Sequence, residues 1–325
     1  MKTLQLAAAV IALALTGCTQ VTLARLYFAN TGTRAEVHGG LPLELPYRDH
    51  DGWVVVPVKV NGQATVDFVL DTGASLVALI EGPGTAGLRL DMSGVQRLGA
   101  EGDLAAPVGA RQDGLTLTLG DTTRGVTLHG QTALALPLAS LGCKGEGTPA
   151  PPFGGVLGYD LFRRYVVEVD RDRGVVVLHD PETYAYAGEG TVVPAPLSAR
   201  QPFLQAEVRA PGSDAPYTAR LHVDTGAGID VTLLPGTHPS ITVPAGGAVK
   251  EACFVGGLAR YQTGTSAALS LAGGPQAETP VEYALGKEVV ASGQHGRIGA
   301  RFLARYNVVI DYARERLVLT PRRRA

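Results

Sequence analysis

An internal repeat constrains this chain more than any other feature. The run Val66-Asp67-Phe68-Val69-Leu70-Asp71-Thr72-Gly73-Ala74 returns as Ala219-Arg220-Leu221-His222-Val223-Asp224-Thr225-Gly226-Ala227. Each copy reads as a short buried strand ending in a small-residue turn that can expose a carboxylate. The similarity continues downstream. Gly155-Val156-Leu157-Gly158 and Tyr165 to Asp170 correspond without a gap to Gly296-Arg297-Ile298-Gly299 and Tyr306 to Asp311. Asp71 and Asp224 are 153 positions apart and Gly158 and Gly299 are 141 apart, so the halves differ by a net 12 residues of loop. A chain doubled in this way folds as two copies of one unit.

The repeated motifs carry a resemblance. Asp-Thr-Gly-Ala at a strand end, followed much later by apolar-apolar-Gly, resembles the aspartic peptidases of the retropepsin and pepsin type. The doubled arrangement is similar to a bacterial single-chain, two-lobed member whose lobes are each retropepsin-like. The resemblance covers roughly residues 36 to 321. It implies an all-β fold of two β-barrel lobes related by a pseudo-twofold axis, with an active-site cleft between them. Arg297-Ile298-Gly299 departs from the apolar-apolar-Gly pattern in its first residue.

The resemblance makes Asp71 and Asp224 the catalytic pair. Two carboxyl groups about 3 Å apart cannot both ionise, so they share one proton. The ionised member can take a proton from water while the protonated member donates to a substrate carbonyl. At this stage neither role is assignable to Asp71 or Asp224 alone. The resemblance assigns loop support to Thr72 and Thr225, which brace the two loops, and to Gly73 and Gly226, which let backbone approach the substrate. Gly158 and Gly299 lie on strands expected to thread behind the loops. A lone Asp-Thr-Gly would be read as a turn former. Two copies with both glycine motifs are read as the dyad.

Strand alternation puts Val69 and His222, two residues before each Asp, on the same side as that Asp. In the resembled family these positions, with the pair equivalent to Val156 and Arg297, line the substrate pocket. An apolar residue before the scissile bond and an acidic or polar one after it are therefore expected. Ala74 and Ala227 stand where many pepsin-like lobes carry a hydroxyl, which favours activity toward neutral pH.

The rest of the chain sets the surroundings. Residues 1–17 read as a signal peptide, with Lys2 before an apolar run too short to span a bilayer comfortably. Leu15-Thr16-Gly17-Cys18 resembles a bacterial lipobox, which makes Cys18 the lipidation site and implies a periplasm-facing envelope protein, with Thr19 favouring the outer membrane. Residues 18–40 are expected as a lipid-anchored tether with a first strand, 41–185 as the N-terminal lobe, 186–199 as a linker and 200–325 as the C-terminal lobe. Asn61-Gly62 signals a hairpin. The segment from Val95 to Leu119 is where the resemblance puts a flap, and Cys253 to Ala259 is at the matching place in the second half. A disulfide between Cys143 and Cys253 is left open.

The net charge of −2 gives no reason to expect nucleic acid. No His-Glu-x-x-His or Cys-x-x-Cys motif occurs, so no metal or cofactor is expected. The reading is a monomeric aspartic endopeptidase acting on polypeptides. The alternative is a non-catalytic lipoprotein that binds an extended peptide in the same cleft.

Overall fold

The computed structural model describes residues 25–97, 108–137, 151–210, 215–254, 257–274, 276–286 and 291–323. In chain order the first half supplies β1 (Ala35–His38), β2 (Leu43–Pro46), β3 (Arg48–His50), β4 (Trp53–Val60), β5 (Ala64–Leu70), β6 (Val77–Glu81), β7 (Gln96–Arg97), β8 (Val108–Gly120), β9 (Gly125–Pro137), β10 (Gly155–Leu157), the short helix α1 (Tyr159–Phe162), β11 (Val166–Asp170) and β12 (Val175–His179). The second half supplies β13 (Thr191–Pro194), β14 (Leu197–Ser198), β15 (Gln201–Arg209), β16 (Tyr217–Asp224), β17 (Val231–Leu233), β18 (Ala248–Phe254), β19 (Gly257–Leu271), β20 (Ala277–Ala284), β21 (Gly296–Gly299), α2 (Ala300–Leu303), β22 (Tyr306–Asp311) and β23 (Arg316–Pro321).

Each half closes a barrel. In lobe 1 the strands run β9-β6-β10-β5-β4-β8 and β8 pairs back to β9. In lobe 2 they run β15-β16-β21-β17-β20-β19 and β19 pairs back to β15. The sequence explains the closure. β4 (WVVVPVKV) buries Val54, Val55, Val56, Val58 and Val60, while Pro57 and Lys59 point to solvent. Asn61 and Gly62 take φ of 51° and 67°, so the expected tight turn reverses the chain into β5. β5 ends on Phe68, Val69 and Leu70, all buried, so both faces of the strand are covered at this end.

A third sheet, β13-β23-β22-β11-β12-β2, joins the lobes. Its centre shows the symmetry directly. Glu168 of β11 faces Val309 of β22, and these two are counterparts in the repeat. The pseudo-twofold axis therefore passes between them. The pairing Val167 with Ile310 and Val169 with Val308 puts apolar side chains from both halves into a core cluster that extends through both lobes.

The segment 186–199, expected as a bare linker, holds two strands. β13 pairs with β23 as β2 pairs with β12, and β14 pairs with β15 as β3 pairs with β4. The second copy of the repeat thus begins inside that segment. Its Pro and Gly content masked strands lying at the sheet edge, where Pro is tolerated. The expected tether also differs. Leu26 is buried against Leu134 and Leu136. Asn30, 1% exposed, donates to Thr132 O and Asp160 Oδ2 and accepts from Thr132 N. From residue 25 onward this stretch is part of lobe 1.

The signal peptide, Cys18 and Cys143 lie outside the described residues, as does the side chain of Cys253. Residues 98–107 and 255–256, at the two expected flap positions, also lie outside them. Among the described residues no helix is long and apolar enough to cross a membrane.

Candidate active site

Both Asp-Thr-Gly loops leave their strands at the centre of the molecule. β10 runs parallel to β5, and Asp71 N donates to Leu157 O at 3.0 Å. β21 runs parallel to β16, placing Gly299 beside Asp224. Tyr159 N donates to Ala74 O at 2.9 Å, and Ala300 N donates to Ala227 O at 2.8 Å. The glycines ahead of these two residues are sterically required. A Cβ on Gly158 would sit 2.1 Å from Ala74 O, and one on Gly299 would sit 2.6 Å from Ala227 O. Each second-motif strand thus lies directly against the back of its loop.

Thr72 and Thr225 tie the loops together. Thr72 N donates to Thr225 Oγ1 at 2.9 Å, and Thr225 N donates to Thr72 Oγ1 at 3.1 Å. Each hydroxyl then donates to the opposite strand, Thr72 to Val223 O and Thr225 to Leu70 O, both at 2.7 Å. Tyr312, itself buried, donates its hydroxyl to Thr72 O at 3.3 Å.

The carboxyl groups of Asp71 and Asp224 converge on one backbone N–H. Gly226 N lies 3.2 Å from Oδ1 of each, and Gly73 N donates to Asp71 Oδ1 at 2.7 Å. The two glycines make this approach possible. A Cβ on Gly226 would lie 2.3 Å from the Asp71 carboxyl, and one on Gly73 would lie 2.7 Å from Asp224 Oδ1. Before any substrate is considered, then, these glycines clear space for the opposing carboxylate.

The pair is electrostatically unequal. Burial, then the negative charge and hydrogen bond of Asp224, push the Asp71 carboxyl well above the usual carboxylate range; the N–H groups of Gly73 and Gly226 oppose this without overcoming it. On the other side, Arg297 Nε lies 3.3 Å from Asp224 Oδ2. The guanidinium thus faces the dyad.

The four expected pocket residues separate into two kinds. Val69 and His222 are covered, at 1% and 5% exposure, while Val156 and Arg297 are half-buried. The His222 ring is 5.2 Å from Phe203. Burial lowers the His222 imidazole to about 4, with Asp224 opposing and Arg297 and Arg220 adding to the effect. His222 is therefore neutral near pH 7.

Two further residues escaped the sequence reading. Trp53 Nε1 donates to Gly226 O at 2.9 Å, and Gln201 Nε2 donates to Gly73 O. Each is the first residue of the strand preceding its own catalytic strand, and each caps the loop of the other lobe. The one available signal was that Trp53 is the chain's single tryptophan, at the start of an apolar strand. Among the described residues no group of three or more His, Cys, Asp or Glu is placed to hold a metal ion.

Comparison with known proteins agrees with this geometry. The family model described as Aspartyl protease matches residues 56–161, the part of lobe 1 that contains Asp71 and Gly158. The aspartic proteinase from Irpex lacteus is similar in fold, with a TM-score of 0.52 over 89% of this chain and 97% of that one, at 14% sequence identity. A search of curated protein sequences finds no match.

Proposed function

We propose that this chain, of the pepsin and retropepsin aspartic-peptidase type in the sequence of its first lobe and in the fold of both, hydrolyses internal peptide bonds of polypeptides. The observation that carries this is the convergence of the Asp71 and Asp224 carboxyls on a shared Gly226 N–H. Arg297 beside Asp224 Oδ2 favours placing the proton of the pair on Asp71. Because Asp71 Oδ1 already accepts two backbone N–H bonds, the proton sits on Oδ2.

The reaction follows from this distribution. A water between the outer oxygens loses a proton to Asp224 as its oxygen bonds to the peptide carbon. Asp71 gives its proton to the carbonyl oxygen, forming a gem-diol without free charge. Asp224 then protonates the amide nitrogen, a gem-diol proton returns to Asp71, and the C–N bond breaks. The Thr72–Thr225 bonds hold both carboxyls in place through these transfers.

Val156 offers an apolar wall for the side chain before the scissile bond. Half-buried Arg297 favours a polar or acidic one after it. The lipobox-like stretch supports lipid attachment at Cys18 and a place in the periplasm-facing envelope; a Cys18→Ser variant should leave the membrane fraction or keep its leader. Digestion of a denatured protein mixture, with and without a statine-type inhibitor, tests the function. Inhibitor-sensitive internal cleavage supports it, whereas inhibitor binding without cleavage favours a peptide-binding protein.

A further inference from the structure

We infer that Arg297 is a positioning residue for the dyad: held against Asp224 and not Asp71, it keeps the pair's negative charge in lobe 2 and its proton in lobe 1. The inference rests on the peptidase reading above and goes beyond it, because it gives two formally equivalent aspartates fixed and different roles.

The argument begins with strand register. Across lobe 1 the row at this level runs Val55, Val69, Val156, Ala78 and Leu134, wholly apolar. Across lobe 2 the equivalent row runs Phe203, His222, Arg297, Thr232 and Glu282. A guanidinium has entered a position that holds valine in the first copy. The Arg297 side chain is 24% exposed, and a charge so placed needs an anion nearby. Glu282 is the other acid in the row, and both its oxygens are engaged. Oε1 accepts from Thr232 Oγ1 at 2.8 Å, and Oε2 pairs with Lys250 of β18. Among the described residues, Asp224 Oδ2, at 3.3 Å, is an anion that Arg297 meets.

Among the described residues, the other charged and titratable groups around the pair do not supply this asymmetry. Asp71 is the dyad partner itself. His222 is neutral above about 4. Arg220 lies over the Phe203 ring and donates to Ser292 O. Tyr312 is buried and stays protonated, its hydroxyl on Thr72 O. On the lobe 1 side, Val156 stands where the cation would be. A cation 3.3 Å from one oxygen of the pair opposes a second proton on the pair as the pH falls. Without the cation, double protonation, which removes the base, begins at higher pH.

The test is the pH dependence of kcat/KM on a fluorogenic peptide, for wild type, Arg297→Leu, Arg297→Gln and Arg297→Lys. Near-ultraviolet circular dichroism checks folding; should the leucine variant not fold, the near-isosteric glutamine variant carries the test. The acid limb should move up by roughly one pH unit or more in the leucine and glutamine variants, and stay near wild type in the lysine variant. The same displacement should persist in a His222→Asn background, since His222 titrates in the same acid range. An unmoved acid limb in a folded, active Arg297→Gln variant overturns the role of Arg297 and leaves the peptidase reading intact. No turnover by wild type, or full turnover by Asp71→Asn, overturns both.

Discussion

Thr72 and Thr225 exchange backbone-to-hydroxyl hydrogen bonds across the lobe boundary, at 2.9 and 3.1 Å, and each hydroxyl donates onward to a carbonyl of the other lobe. Replacing Thr72, which is fully buried, by Val keeps the shape and strands the carbonyl of Val223. That change should cost about 1–3 kcal/mol in urea unfolding, while Thr72→Ser stays near wild type. Thr225→Val should cost less, because Thr225 is only half-buried. Equal and negligible losses would mean the exchange does not hold the lobes together.

The loop glycines should separate catalysis from stability. A methyl on Gly226 would meet the Asp71 carboxyl at 2.3 Å and displace it from its partner. Gly226→Ala should lower kcat on the order of 10²-fold with a modest change in melting temperature. Gly158→Ala should do the reverse in emphasis, lowering melting temperature strongly, since its methyl would meet the backbone at Ala74 O and Asp71 O. A Gly226→Ala enzyme with wild-type kcat would remove the carboxylate-spacing role.

Asp71 gives a stability prediction with a definite sign. Its folded-state carboxyl is raised above the ordinary 3.8, so the folded protein holds this proton more tightly than the unfolded chain does. The contribution is fully present below that ordinary value and is lost as pH rises toward the raised one. Asp71→Asn cannot ionise and escapes that loss. Its melting temperature should therefore gain on wild type as the pH is raised from 4 to about 7. A constant difference across that range would contradict the raised carboxyl.

The same burial sets the working pH. One proton on the pair is required, and a raised Asp71 keeps that proton at milder pH than an ordinary carboxylate would. Cleavage should persist near pH 7, in keeping with Ala74 and Ala227 in place of hydroxyl-bearing residues. A pH–rate profile confined to strongly acid conditions would rule this out.

Much of this was legible in the sequence because it is carried by local pattern. The two Asp-Thr-Gly strands, the glycine motifs behind them and the Asn61-Gly62 turn depend on neighbours in the chain. What was not legible depends on distant pairing. β13 is a strand because β23 lies beside it, and nothing in Thr191 to Pro194 announces that partner. The N-terminal stretch docks through Leu26 and Asn30, and the Asn30 side chain finds its partners 102 and 130 residues away. Trp53 and Gln201 act on the loop of the opposite lobe, so their roles exist only once the lobes meet. Arg297 was visible as a departure from the motif. Its contact with Asp224 needed the register of β21 against β16.

The central claim is that Asp71 and Asp224 act as one catalytic unit, and steady-state cleavage by the two single Asn variants tests it most directly. Each variant, shown folded by circular dichroism, is compared with wild type on one internally quenched peptide at several pH values. The account predicts that Asp71→Asn and Asp224→Asn each lose about 10²–10⁴-fold in kcat/KM or more at every pH. Near-wild-type cleavage by either folded variant would contradict it.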